Sequence, residues 1–193
     1  MGLEFELKFR CDSATQETLR AAVAGEETVF RMETTYYDTP KGDLSARRWT
    51  LRRRQENEKS VCTLKFPVEG DGRGEFELEC DSIETAIPEL CKLSGLEELA
   101  SLCEKGVVAV CGAKFTRIAK TFDFAGTVME MALDQGVLTG GGREVPLSEM
   151  ELELKEGDAM QVRQYAAILM ATYPLETEPK SKFRRALDLA KGE

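Results

Sequence analysis

The N-terminal segment alternates apolar and charged residues at every position from Leu3 to Arg10. Successive side chains of a β-strand point to opposite faces, so this pattern predicts a strand with one apolar and one charged face. The same alternation returns at 74–80 and 150–155, far along the chain. Several such strands must bury their apolar faces together, which favours a large sheet or a barrel covered on its apolar side.

We predict about eight strands that mostly follow one another instead of alternating with helices. The strands are predicted at 3–10, 30–37, 48–54, 60–66, 74–80, 107–122 (whole, or in two pieces broken near Gly112), 127–134 and 150–155. The helices are predicted over 13–24, 82–105 with a break at Ser94-Gly95, 158–172 and 182–191. This order predicts an α+β protein with a mostly antiparallel sheet or barrel decorated by helices. The length predicts a single domain over residues 1–193.

Histidine is absent from the sequence. Its absence excludes Ser-His-Asp and Cys-His catalysis as well as histidine metal sites. Catalysis by this chain would therefore use carboxylates, lysine, arginine, tyrosine or a metal ion bound by oxygen. The formal net charge of -9 argues against nonspecific nucleic-acid binding, although a local basic site is compatible with it.

The six cysteines have no CxxC spacing, so no zinc site is predicted. The first residues lack the basic and apolar regions of an export signal, and we therefore expect a cytoplasmic protein with reduced, mostly buried cysteines. The longest purely apolar run, Ala166 to Ala171, is too short to cross a bilayer, so no membrane association is expected.

The charged faces of the predicted strands segregate by sign. Acids dominate the first, fifth and last strands, whereas bases dominate the third and fourth. An ordinary solvated outer face is one interpretation, since antiparallel sheets often expose a polar face. Solvated faces usually mix residue types, however, while these positions are almost purely glutamate, arginine or lysine. Eight strands can also close into a barrel, and a charged interior would then require neutralising ligands.

Those ligands follow from the residue types. Clustered carboxylates without histidine or cysteine form an all-oxygen environment that suits Mg²⁺ or Mn²⁺. Neighbouring arginine forks and lysines suit phosphate oxygens. Together these groups predict metal-assisted attack on a polyphosphate chain, in which positioning and charge neutralisation provide most of the catalysis.

Two conspicuous features are predicted to be structural. Trp49 is offset by odd spacing from Arg52 and Arg54, so its ring should face the helix-covered core and not a ligand. Gly140-Gly141-Gly142 has no following Lys-Ser/Thr pair and no helix start, so it predicts a hairpin tip and not a phosphate loop.

A series of short motifs in a fixed order covers the chain from Glu4 to Arg185. In chain order they are Glu4-Phe5-Glu6-Leu7-Lys8, Tyr36-Tyr37-Asp38-Thr39, Leu51-Arg52-Arg53-Arg54, Thr63-Leu64-Lys65, Glu75-Phe76-Glu77, Arg117, Leu133-Asp134-Gln135-Gly136, Glu151-Leu152-Glu153-Leu154-Lys155 and Ser181-Lys182-Phe183-Arg184-Arg185. With these motifs the chain resembles the CYTH superfamily, the triphosphate tunnel metalloenzymes. The resemblance implies an eight-stranded antiparallel β-barrel, or triphosphate tunnel, with a charged lumen and helices packed outside.

The resemblance also implies roles for individual residues. The implied metal ligands, for Mg²⁺ or Mn²⁺, are Glu4, Glu6, Asp134, Glu151 and Glu153. The implied triphosphate-binding residues are Lys8, Arg52, Arg54, Lys65, Arg117, Lys182 and Arg185. Catalytic roles fall to Glu153, which would accept the proton of the attacking water, and to Lys8, which would stabilise or protonate the departing oxygen.

Hydrolysis of inorganic triphosphate to pyrophosphate and phosphate is the function we expect first. A bare triphosphate needs only the charged lining, and the sequence shows no clear nucleoside-reading signature. The alternatives are a CYTH-type adenylate cyclase, a thiamine triphosphatase, and a non-catalytic polyphosphate- or nucleotide-binding module. The acids in both the first and last strands disfavour the module, because binding alone needs mainly the bases. We expect a small-molecule triphosphate as partner, and a monomer or homodimer.

Overall fold

The computed structural model describes residues 2–69 and 72–193, with side chains from Glu4 onward. Residues 70 and 71 and the side chain of Leu3 lie outside the described part. The two residues belong to the glycine-rich segment 69–74, for which the sequence predicts a hairpin loop. The strands are β1 (Gly2–Glu4), β2 (Glu6–Arg10), β3 (Glu27–Asp38), β4 (Thr50–Glu56), β5 (Lys59–Pro67), β6 (Arg73–Glu79), β7 (Val108–Phe124), β8 (Thr127–Gly140), β9 (Arg143–Glu156) and β10 (Glu176–Thr177). The helices are α1 (Ser13–Ala22), α2 (Asp43–Ala46), α3 (Ile83–Ser94), α4 (Glu97–Cys103), α5 (Ala159–Thr172) and α6 (Lys182–Lys191).

All strand pairs in the described residues are antiparallel, and they form one sheet in the order β1-β6-β5-β4-β3-β7-β8-β9-β2-β10. The α+β architecture with a mostly antiparallel sheet and external helices is therefore confirmed. The described residues form ten strands instead of the eight predicted, because the first predicted strand is split at Phe5 and the short β10 extends the sheet beyond β2.

The N-terminal segment joins the two sides of this sheet. Its first part, β1, pairs with β6, whereas its second part, β2, pairs with β9. Phe5 lies between the two parts, and its carbonyl accepts a hydrogen bond from the backbone amide of Leu154 at 2.9 Å. The backbone of the N-terminal segment, and not a hydrogen-bonded pair of strands, therefore links the β6 side of the sheet to the β9 side in the described residues.

The apolar faces of the strands are covered by helices. Leu19 of α1 and Val162 of α5 pack in one cluster with Phe9 and Leu152 of the sheet. A second cluster joins β4 and β5 to α3 and α4, and Trp49 is buried within it, as predicted. Because the apolar faces turn to these helices, the alternation places the charged faces on the opposite side of the sheet. The charged faces therefore lie on the side of the sheet without helices α1, α3, α4 and α5, and there they enclose a cavity.

Strands β8 and β9 extend beyond the predicted ranges of 127–134 and 150–155. A glycine such as Gly136 is typical of a loop. Gly136 instead lies within β8, where a Cβ atom would stand only 2.1 Å from the carbonyl oxygen of Lys114. The turn between the strands consists of Gly141 and Gly142, with φ angles of 58° and 74°. Two residues with positive φ form a hairpin turn that matches the twist of its strands, and the predicted hairpin tip is confirmed.

The cysteines are free thiols in the structure. Burial raises the pKa of the Cys62 and Cys111 thiols to about 12, which keeps them protonated and unreactive at neutral pH. None of the helices in the described ranges is both long enough and apolar enough to cross a membrane.

Candidate functional site

The charged side of the sheet surrounds a cavity of about 290 Å³. Within the described part of the chain, eight acidic and eight basic side chains line it, so the lining carries no net formal charge. The acidic residues are Glu4, Glu6, Glu56, Glu75, Glu77, Glu130, Glu151 and Glu153, and the basic residues are Lys8, Arg52, Arg54, Lys65, Arg73, Arg117, Lys155 and Lys182. A small apolar part of the wall includes Phe30, Met32 and Phe115.

The structure brings ten of the twelve predicted site residues to this one cavity. These ten are Glu4, Glu6, Lys8, Arg52, Arg54, Lys65, Arg117, Glu151, Glu153 and Lys182. The other two, Asp134 and Arg185, do not line the cavity. Asp134 instead contacts the lining residues Arg117 and Lys182. Arg185 contacts Glu149, which in turn contacts Lys182.

Strands β2 and β9 bring carboxylates and lysines of the lining together. Their register sets Glu6 opposite Glu153 and Lys8 opposite Glu151. The Lys8 Nζ atom donates a hydrogen bond to Glu6 Oε1 at 2.9 Å. Burial alone would lower the pKa of Lys8, but the negative charges of Glu6 and Glu151 raise it, so this lysine is charged. Across the cavity, Lys65 of β5 forms an ion pair with Glu4.

Arginines 52 and 54 project from the same face of β4. Their Nε atoms are buried and have no hydrogen-bond partner among the described residues. Burial and the nearby charge of Arg52 lower the pKa of Arg54, whereas its neighbour Glu56 only partly offsets these effects. Buried donors without acceptors are costly, and two adjacent guanidinium groups repel each other. This side of the cavity is therefore suited to an anion with several oxygens.

Lys182, at the start of α6, contacts a cluster of three carboxylates. Its Nζ atom lies 2.7 Å from Asp134 Oδ2 and 2.8 Å from Glu151 Oε1, and it also contacts Glu149. Burial alone would lower the pKa of Lys182, but Asp134, Glu151 and Glu149 raise it above the ordinary lysine value. The Lys182 ammonium is consequently a permanent cation at the edge of the cavity.

The same three carboxylates could hold a metal ion by distance alone, since their oxygens lie within 4.8 Å of one another. The ammonium of Lys182 contacts all three. A metal ion at this point would have to displace that ammonium, whereas carboxylates on the cavity wall such as Glu6 and Glu153 contact single lysines of the lining. The wall therefore offers oxygen donors of the type that Mg²⁺ or Mn²⁺ prefers.

Asp134 and Glu149 lie beneath the cavity wall and are fully buried. Asp134 accepts two hydrogen bonds from Arg117, at 2.8 Å from Nε and 2.7 Å from Nη2. Glu149 contacts Arg185 and Lys182. These two carboxylates thus fix the directions of bases that line or flank the cavity.

Sequence reasoning assigned no role to several of these residues. Glu149 precedes Glu151 by two positions and so shares its strand face, but the predicted strand began at Met150 and excluded it. Arg73 was missed for the same reason, because β6 begins one residue before the predicted strand. Glu130 and Lys155 were visible as charged strand positions, but only their neighbours received roles.

A family model for the CYTH domain matches residues 2–187. The chain belongs to the CYTH domain family. This CYTH chain is 31% identical over 155 residues to a protein named inorganic triphosphatase from Haemophilus influenzae (strain ATCC 51907 / DSM 11121 / KW20 / Rd). The matched segment covers 78% of this chain and 44% of that protein, so the chain spans less than half the length of this curated relative.

Solved structures with the same fold include HpAC1 from Hippeastrum, whose structure is described as revealing a dominant triphosphatase activity. The CYTH chain matches it with a TM-score of 0.65 and 20% identity, over 100% of this chain and 97% of that one. A Bacillus halodurans protein proposed to be an adenylate cyclase matches with a TM-score of 0.65 and 18% identity, over 96% and 98% of the two chains. At these identities the two structures establish the CYTH fold of the chain.

Proposed function

We propose that this CYTH protein hydrolyses a triphosphate inside the charged cavity with the help of Mg²⁺ or Mn²⁺. Inorganic triphosphate, cleaved to pyrophosphate and phosphate, is the substrate we propose first. The observation that carries the proposal is the pair of cavity-lining arginines, Arg52 and Arg54, whose buried Nε donors have no acceptors among the described residues. The triphosphatase activities named for the Haemophilus and Hippeastrum proteins support the same reaction class.

The charge balance of the lining explains why metal and substrate belong together. Eight acids and eight bases already neutralise one another within the described residues. A triphosphate alone would leave an excess of negative charge in an enclosed space, and a metal ion alone would leave an excess of positive charge. Since uncompensated buried charge is costly, joint binding of the polyanion and a divalent cation is favoured over binding of either alone.

The carboxylates on the wall fit a hard divalent cation. Glu4, Glu6 and Glu153 would hold it, and Glu151 would join them on exchanging its contacts with Lys182 and Arg117 for the ion. The ion would neutralise charge on the phosphate chain. Asp134 stays a candidate further ligand, but its oxygens already accept hydrogen bonds from Arg117. We therefore propose that Asp134 acts mainly by holding the bases above it.

The bases of the cavity would bind and orient the phosphate chain. Arg52, Arg54, Lys65, Arg117 and Lys182 would contact its oxygens, and Arg185 would assist from beneath through Glu149. These fixed charges stabilise the negative charge that shifts towards the leaving group.

Glu153 and Lys8 would move the protons. The Glu153 carboxylate accepts a proton from water while the water oxygen bonds to the terminal phosphorus. The bond between that phosphorus and the bridging oxygen breaks, and pyrophosphate leaves. Lys8 donates a hydrogen bond or a proton to the departing oxygen.

A substrate panel tests the proposed function. The purified chain is incubated with tripolyphosphate, ATP or thiamine triphosphate, each with Mg²⁺, Mn²⁺ or a chelator, and phosphate and cAMP are measured. We expect phosphate release from tripolyphosphate in the presence of Mg²⁺ or Mn²⁺ and none with the chelator. Ca²⁺ should inhibit, because it favours longer bonds and more ligands than an octahedral Mg²⁺ site provides.

Other outcomes of the panel would assign a different activity. Formation of cAMP from ATP would identify a cyclase and contradict the proposal. Faster phosphate release from thiamine triphosphate would keep the hydrolase but change its substrate. Binding of tripolyphosphate without turnover under every metal would identify a binding module.

A further inference from the structure

The N-terminal segment, which spans β1 and β2, and strand β9 carry the same Glu-x-Glu-x-Lys order. One copy ends at Lys8 in β2, and the other ends at Lys155 in β9. The strands are antiparallel, and their register sets the middle glutamates, Glu6 and Glu153, directly opposite each other. The two copies are therefore related by an approximate local twofold arrangement, in which the lysines lie on opposite sides of the central carboxylate pair.

Each lysine neutralises the middle glutamate of its own strand. Lys8 Nζ lies 2.9 Å from Glu6 Oε1, and Lys155 Nζ lies 2.9 Å from Glu153 Oε2. Lys155 also lies 3.4 Å from Oε1 of Glu130, which stands opposite Glu153 in the neighbouring strand β8. Three glutamates on adjacent strands thus face one another, and such like-charge neighbours destabilise a sheet unless a cation lies between them.

The Lys155 side chain is more exposed than that of Lys8. Its side chain is 36% exposed, compared with 14% for Lys8, although both line the cavity. A lysine ammonium on a flexible stem can move several ångströms without any change in the backbone. The contacts of Lys155 with Glu153 and Glu130 are therefore exchangeable for contacts with a ligand.

We propose that Lys155 is a second substrate-binding lysine, the counterpart of Lys8. Without a metal ion its ammonium pairs with Glu153 and Glu130, and a divalent cation bound by Glu6 and Glu153 would displace it. The released ammonium then binds a phosphate oxygen of the substrate. The inference rests on the proposed function, because it concerns the same metal ion and the same triphosphate. It adds a residue to the site and makes metal and substrate binding depend on each other.

The proposal predicts effects of opposite sign on the two ligands. Replacing Lys155 by methionine removes the cation that competes with the metal ion, so Mn²⁺ should bind about three- to ten-fold more tightly in the absence of substrate. It also removes a charged donor to phosphate, so KM for tripolyphosphate at saturating Mn²⁺ should rise about ten-fold. A purely structural role would instead weaken both ligands together.

Titration calorimetry with Mn²⁺ alone and steady-state kinetics with tripolyphosphate test this on the full chain. Lys114→Met is the matched control, since Lys114 forms a comparable 2.9 Å pair with Glu33 but does not line the cavity. Lys114→Met should change neither the Mn²⁺ affinity nor KM for tripolyphosphate. Lys155→Arg retains the positive charge and should keep Mn²⁺ affinity within about two-fold of wild type.

The proposal would be overturned if Lys155→Met bound Mn²⁺ no more tightly than wild type, or if its KM for tripolyphosphate were unchanged. It would also be overturned if neither wild type nor variant bound Mn²⁺. The calorimetry needs no turnover. A wild-type chain that binds Mn²⁺ but cleaves no triphosphate would therefore refute the proposed function, whereas an active wild type with an unresponsive Lys155→Met would refute only the role of Lys155.

Discussion

Replacing Lys182 by methionine should lower the free energy of unfolding by about 3–5 kcal/mol, because the change breaks a buried ion-pair network. Asp134, Glu149 and Glu151 all contact the Lys182 ammonium, and the first two are fully buried. Without that ammonium, three carboxylates share one site with too little positive charge. The same change should abolish measurable triphosphatase activity, since Lys182 lines the cavity.

Urea unfolding followed by circular dichroism measures the loss of stability. Lys180→Met is the matched control, because Lys180 lies two residues away and its exposed side chain pairs with Asp188 at 2.8 Å. We expect little change in that variant, because the Lys180 ammonium is largely solvated and Asp188 keeps Arg184 as a partner. Adding Glu149→Gln to Lys182→Met removes one uncompensated charge and should recover part of the stability. A Lys182→Met protein as stable as the Lys180→Met protein would contradict the network.

Replacing Glu153 by glutamine should reduce kcat for tripolyphosphate by about 10²–10⁴-fold, the range associated with loss of a general base. Glutamine keeps the shape of the side chain but cannot accept the proton of the attacking water, and it is a poorer ligand for a divalent cation. The side chain is partly accessible from the cavity, so the fold should tolerate the change.

The control for Glu153 is Glu156→Gln, which changes an exposed glutamate of the same strand that does not line the cavity. Single-turnover rates at saturating metal separate the chemical step from metal binding. Glu156→Gln should retain wild-type rates. If Glu153→Gln retains more than about a tenth of the wild-type rate, Glu153 is not the base, because loss of a base costs at least that much.

The alternation of residue types was sufficient to predict which side chains share a face. Lys8 lines the cavity while Phe9 is buried in the helix-covered core, as the period of two requires. The period could not decide whether the charged face was solvated or enclosed, because both arrangements give the same pattern. The decision depends on where the helices pack, and the structure places α1 and α5 on the apolar side.

Contacts between distant segments could not be predicted in this way. The carboxylate cluster around Lys182 forms because α6 brings its first residue to side chains of β8 and β9. No local sequence pattern predicts this contact between distant segments. The change of partner at Phe5 depends on the register of β1 with β6 and of β2 with β9. The extra length of β8 depends on the close approach of Gly136 to the backbone of β7, which its sequence neighbours do not indicate.

We propose that the triphosphate binds inside the sheet, against the bases of β4. The most direct measurement compares kcat/KM for tripolyphosphate in the double variant Arg52→Gln/Arg54→Gln with that in Arg47→Gln/Arg184→Gln. The arginines of the second variant have exposed side chains outside the cavity, and they form ion pairs with Glu98 and Asp188. Each interior change removes charged hydrogen bonds, so the interior variant should lose about 10³-fold. The exterior variant should stay within about two-fold of wild type. An interior variant with wild-type kcat/KM would contradict the claim.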